Sequence, residues 1–186
     1  MTLQRLRNAL LAGMAAALSA CAALSSMQVG NRNVPQPAKT VEMDRYLGRW
    51  YELYRYDAPF QKNCEAVSAD YSRNADGSIR VFNSCHKGST DGPVETATGR
   101  AKIVDATSGA KLKVSFFGPF YGDYWVLDHD DNYQWSIVGE PSGRYLWVLA
   151  READPSDSTK AMLRRRVEEL GYDWALVRVT KHQSRR

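Results

Sequence analysis

The sequence predicts an all-β domain: an eight-stranded antiparallel up-and-down barrel, with one C-terminal α-helix packed outside and a short final strand. Three observations carry this expectation. Apolar or alternating runs of six to ten residues are separated at regular spacing by Gly, Asp, Asn and Pro, the punctuation of a sandwich or barrel. Several runs alternate cleanly between an apolar and a polar face, as a sheet with one wet side requires. A single stretch near the C-terminus repeats its apolar residues at helical spacing instead.

In chain order the strands are expected at 48–56, 65–73, 78–86, 94–104, 110–117, 123–128, 133–139 and 144–150, with turns at 74–77 and 107–109. Val67, Ala69 and Tyr71 face one way and Ser68, Asp70 and Ser72 the other. Leu112, Val114 and Phe116 likewise oppose Lys111, Lys113 and Ser115. The eighth run differs, because Tyr145, Trp147 and Leu149 share one face while Leu146, Val148 and Ala150 make the other apolar too. A cover for that second face follows directly: Asp154-Pro155-Ser156-Asp157 starts a helix, Met162, Leu163, Val167 and Leu170 form its apolar stripe, and Gly171 ends it. A final strand is expected over 174–180. Closing the sheet removes its edges and leaves room for one small ligand.

The first twenty residues are of another kind. Arg5 and Arg7 precede an apolar run from Ala9 to Leu18, the pattern of a secretory signal. That run is too short to span a bilayer core, which needs roughly 20 residues. Leu18-Ser19-Ala20-Cys21 then resembles the bacterial lipobox, in which the cysteine receives a diacylglyceryl group and becomes the first residue after cleavage. Ala22, in place of Asp, resembles the outer-membrane sorting signal. The expected partition is a lipoprotein signal over 1–20, a lipidated flexible tether over 21–40, a barrel domain over 41–182 and a basic tail over 183–186. Net charge is +4, falling to +2 without the signal, too balanced to argue for nucleic acid.

Two motifs carry a family resemblance. Gly48-Arg49-Trp50-Tyr51-Glu52 resembles the Gly-x-Trp motif that opens the first strand of lipocalins. Leu146-Trp147-Val148-Leu149-Ala150-Arg151 resembles the motif in which an arginine ends the eighth strand and lies across that tryptophan. Asp130, in the loop 128–133, fits the aspartate of the family's Thr-Asp-Tyr motif, although His129 replaces the threonine and no tyrosine directly follows. The stretch Leu112–Gly122 is similar to bacterial lipocalins of the apolipoprotein D-like group. The resemblance implies that Gly48, Trp50, Asp130 and Arg151 are structural and gather at a closed end. The open mouth would then lie near Asp57–Asn63, Lys87–Pro93, Gly118–Gly122 and Glu140–Gly143.

An inward Arg151 puts Tyr145 and Trp147 inside by alternation. The remaining ligand lining is then Val67, Ala69, Tyr71, Ile79, Val81, Ala97, Gly99, Ala101, Leu112, Val114, Phe116, Tyr124 and Val126, with the small residues of the fourth strand leaving room. Such a lining suits an acyl chain and holds no evident buried charge. Lys62, Lys87 and Arg144 stand at the mouth.

Taking Tyr71 opposite Ile79, a one-residue bulge would bring Cys64 and Cys85 together as a disulfide in an oxidising compartment. The alternative is a nucleophilic Cys64, as in a prostaglandin-isomerising lipocalin. His86, His129 and His182 lack metal-ligand spacing, so no metal, cofactor or catalytic residue is expected. The resemblance implies a membrane-anchored module storing or carrying fatty acids or lysophospholipids for membrane maintenance under stress. Two other classes stay open: a barrel enzyme acting on a lipid-like substrate, and a structural envelope lipoprotein with a filled barrel. The aromatics of Phe117–Tyr121 would suit a homodimer interface.

Overall fold

A computed structural model describes residues 28–183. The expected signal, Cys21 and the basic end of the tail lie outside these residues. The strands are β1 (Gly48–Tyr56), β2 (Cys64–Arg73), β3 (Ile79–Lys87), β4 (Val94–Ile103), β5 (Lys111–Phe117), β6 (Phe120–His129), β7 (Trp135–Gly139), β8 (Leu146–Ala150) and β9 (Val177–Val179). Neighbours pair in the order β2-β3-β4-β5-β6-β7-β8-β1-β9, and a further β1–β2 pairing closes the barrel. The predicted fold class is the observed one.

The closing seam is divided. The first half of β1 pairs with β2, from Gly48 opposite Tyr71 to Tyr51 opposite Ser68. A bulge at Leu53 then turns the strand, and β9 pairs with Tyr54–Tyr56. The Thr180 amide donates to Leu53 O at 3.0 Å, and the Ala66 amide to Lys181 O at 2.7 Å. The C-terminal strand therefore fills the upper gap between β1 and β2.

Two apolar cores lie on either side of the sheet. Inside, Trp50, Ile79, Val81, Ala101, Leu112, Val126, Val138 and Leu149 pack at the closed end beneath the short helix α1 (Met43–Tyr46). Outside, Leu163 and Val167 of α2 (Asp157–Glu169) cover Leu146, Val148 and Ala150, as the doubly apolar eighth run requires. Ser156 caps α2 by accepting from the Thr159 amide, and Gly171, at φ 88°, follows its end.

Several boundaries differ from the sequence reading. Phe120–Gly122 belongs to β6 rather than to a loop. Residues 144–145 stay outside β8 because the Glu140 carboxylate accepts from the backbone amides of Ser142, Arg144 and Tyr145. Asp130 Oδ2 accepts from the amides of Asn132 and Gln134, which delays β7 to Trp135. Tyr71 stands opposite Val81, not Ile79.

Residues 28–40 do not form a loose tether. The Gly30 and Asn31 amides both donate to Gly143 O, and Asn31 Nδ2 to Leu170 O at 2.9 Å. Gly143 has a positive φ of 64°, and a Cβ there would sit 1.7 Å from Asn31 O, so only glycine permits the approach. Further on, Lys39 Nζ donates to His129 O and Asp131, and the Val41 amide to Ser108 O. The segment is a strap that runs along the outside wall, from the β7–β8 loop at the mouth to the β4–β5 loop at the closed end.

Candidate functional site: the barrel interior

The closed end is sealed by the motif residues. The Arg151 guanidinium lies 3.7 Å from the Trp50 ring centroid. It also donates to the carbonyls of Arg45, Leu47, Arg49 and Tyr133. Burial draws Arg151 below its ordinary pKa. Trp50 is fully buried and donates through Nε1 to Tyr46 O at 2.8 Å. The motif tyrosine missing beside Asp130 is supplied three residues later: Tyr133, at φ 57°, accepts from the Glu42 amide at 2.8 Å and stacks on His129.

Above this base lies a floor of phenols. The hydroxyl of Tyr124 meets those of Tyr46 and Tyr71 at 3.1 and 3.0 Å, and Tyr46 also meets Ser136 Oγ at 2.9 Å. Burial pushes the Tyr46 pKa up to about 12 and raises those of Tyr71 and Tyr124 as well. Neutral phenols satisfy one another here, so the floor is polar but uncharged.

The predicted lining divides by height. Ile79, Val81, Ala101, Leu112 and Val126 are buried in the inner core, and Tyr71, Val114, Tyr124 and Trp147 pack against it. Nearer the mouth, Ala69, Ala97, Gly99, Phe116 and Tyr145 keep solvent access, so the barrel is open on its β2–β5 side. Two expectations fail. Gly99 leaves no room for a ligand, because a Cβ there would lie 2.9 Å from the Phe116 ring, which occupies the space. Val67 belongs instead to a small separate cluster with Cys64 and Cys85.

Those cysteines form a disulfide with Cα atoms 5.4 Å apart, across the bulge between Glu65 and Ser68. A loop of 21 residues is worth about 3 kcal/mol in closure entropy. Cys64 is therefore not a free nucleophile.

The interior also holds charge that alternation did not reveal. Trp50 and Glu52 face inward. The bulge at Leu53 then returns Arg55 to the same side, opposite Trp147. Arg55 Nη1 donates to Glu52 Oε1 at 2.7 Å and to Thr180 Oγ1 at 2.9 Å, and both charged side chains are buried. Gln61, in the 3-10 turn Pro59–Gln61 after β1, reaches into this network. Its Nε2 donates to Glu52 Oε2, and its Oε1 accepts from Trp147 Nε1 at 2.8 Å. The first mouth loop is thereby pinned over the β1–β8 side, with Phe60 against Tyr145 and Trp147. Asn83, between Ala69 and Ala97 in register, carries a buried Oδ1 with no hydrogen-bond partner, as does Arg55 Nε. At the rim, Lys87 is engaged by Glu95 at 3.3 Å and by Lys62 O. Among the described residues no three His, Cys, Asp or Glu side chains gather to hold a metal. The arrangement is a receptacle for a small apolar ligand.

Known proteins bear on the same conclusion. The lipocalin-like domain family matches residues 41–182. Outer membrane lipoprotein Blc of Vibrio cholerae is 38% identical over 132 residues, covering 70% of this chain and 77% of that protein. Temperature-induced lipocalin-1 of Arabidopsis thaliana is 40% identical over 144 residues, covering 73% and 76%. The structure of insecticyanin from Manduca sexta superposes with a TM-score of 0.67 at 17% identity, over 84% of this chain and 89% of that one. With the Trp50–Arg151 pair sealing one end and an apolar interior open at the other, this chain belongs to the lipocalin family, among its bacterial members.

Proposed function

We propose that this protein is a non-catalytic, membrane-anchored carrier or store of fatty acids or lysophospholipids. The carrying observation is the division of the interior. A sealed, uncharged floor lies below an accessible wall of Ala69, Ala97, Phe116 and Tyr145, chemistry that suits an acyl chain. Asn83 Oδ1 offers an acceptor to a ligand hydroxyl or ammonium near the same wall.

Diacylglyceryl attachment at Cys21, removal of residues 1–20 and an outer-membrane location facing the periplasm complete the reading. The names of the Vibrio relative, an outer membrane lipoprotein, and of the plant relative, a temperature-induced lipocalin, support the location and a role under stress. Organic extraction of the purified protein followed by mass spectrometry tests the ligand. A stoichiometric acyl lipid is expected, and an empty extract from protein that also fails to take up a fluorescent fatty acid overturns the proposal. Cys21→Ser should turn stable membrane fractionation into weak, lipid-concentration-dependent association while leaving acyl-chain binding intact.

A further inference from the structure

We infer that the open mouth docks on a phospholipid bilayer through aromatic loop tips, so that acyl chains pass from membrane to barrel without crossing water. This rests on the anchored-carrier reading above and specifies where its ligand enters. Phe117 and Phe120 face each other in register at the tip of the β5–β6 hairpin and are 82% and 78% exposed. Tyr121, 41% exposed, continues the patch behind them. Phe60, 66% exposed, stands on the β1–β2 loop. In an up-and-down barrel these two loops share one end and lie half a circumference apart. Two separated, exposed aromatic points at one end of the barrel suit a broad, deformable apolar surface, as interfacial side chains do.

The strap identifies the occupant. Strand β1 begins at the closed end, so a chain leading straight into it would carry the anchor to that end. Residues 30–41 instead run the length of the wall, and Gly30 is fixed beside Gly143 at the mouth. Eight residues lie between Cys21 and Gly30, a reach of about 30 Å at full extension. The ten residues of β6 span about 30 Å along the strand, or about 23 Å along the barrel axis at a typical tilt. The mouth therefore meets the membrane with slack in the chain, whereas reaching the closed end would use up most of that length along the barrel wall.

The test uses acylated protein in phosphatidylethanolamine–phosphatidylglycerol vesicles, labelled with a polarity-sensitive fluorophore at Phe120→Cys or, at the closed-end turn, Ala75→Cys. Cys21→Ser versions exported behind an ordinary secretory signal are titrated with the same vesicles. The Phe120 site should shift to the blue and be quenched by spin-labelled lipid, while the Ala75 site stays silent. Without the acyl anchor the same shift should appear at higher lipid, and Phe117→Asp with Phe120→Asp should weaken it at least about tenfold. Acylated protein that floats with vesicles while its Phe120 label stays in water overturns docking and leaves the anchor standing. Equal vesicle affinity of wild type and Cys21→Ser, with both blue-shifted at position 120, upholds docking and removes the anchor. A shift that needs no lipid and follows protein concentration assigns the patch to a second copy of the chain and overturns the inference.

Discussion

The Trp147 indole, projecting inward from β8, donates to Gln61 Oε1 at 2.8 Å, so a residue of the first mouth loop is fastened to the inner wall. Gln61→Ala removes this bond and the one to Glu52. Their joint net worth of about 1.4 kcal/mol corresponds to about tenfold in the population of the open loop. Stopped-flow tryptophan fluorescence should show fatty-acid entry accelerated about tenfold. An unchanged rate shows that the loop lies off the entry path.

Glu52 and Arg55 are buried together, and neither has water to fall back on. Arg55→Met leaves an uncompensated carboxylate and should cost about 3–5 kcal/mol in urea unfolding. Adding Glu52→Gln should recover most of that loss. If the double variant is no better than the single, Glu52 is not the group left stranded.

The phenol floor sets an alkaline limit. Tyr46 is held neutral up to about pH 12, and Tyr71 and Tyr124 are raised in the same direction by burial. Unfolded tyrosines ionise near pH 10. These groups therefore leave stability untouched below about pH 10 and erode it as pH climbs toward the native values. Urea midpoints measured from pH 9 to 11.5 should be flat and then fall. Tyr46→Phe should be less stable throughout and show a shallower decline.

Arg151 holds its position by shape as well as charge, fanning over five backbone carbonyls, that of Tyr46 among them, while covering Trp50. Arg151→Lys keeps the charge but not the planar fork. We expect a loss of about 2–3 kcal/mol with acyl-chain affinity changed less than twofold, since the residue lies at the sealed end. Chemical denaturation and ligand titration on the same preparation check both.

Gly143→Ala places a methyl group against Asn31 O and strains a left-handed residue. The strap should lift at its mouth end. Limited proteolysis within residues 28–36 should become fast while the barrel stays resistant.

The parts of this fold legible in the sequence were those governed by a simple period or a local cap. β1 was placed at its observed bounds, Ser156 and Gly171 marked the ends of α2, and Trp50 and Arg151 were paired from their motifs. Arg55 was not legible, because one extra residue at Leu53 reverses the alternation on which inward and outward assignments rest. The strap was missed for a different reason: its contacts are backbone bonds and single polar side chains, Asn31 and Lys39, which leave no hydrophobic periodicity. Gly99 was misread because a vacancy in sequence is filled by a neighbour in space, the Phe116 ring.

The seam between first and last strands also governs when the molecule comes into being. β1 has its partners in β8 and β9, about a hundred residues later in the chain, a separation that makes closure slow. Until β8 emerges during synthesis or passage through a membrane, the sheet has two open edges, and until α2 follows its apolar back is uncovered. The nascent chain thus exposes unpaired edges for most of its length, and that exposure ends only when β8 and α2 have both arrived.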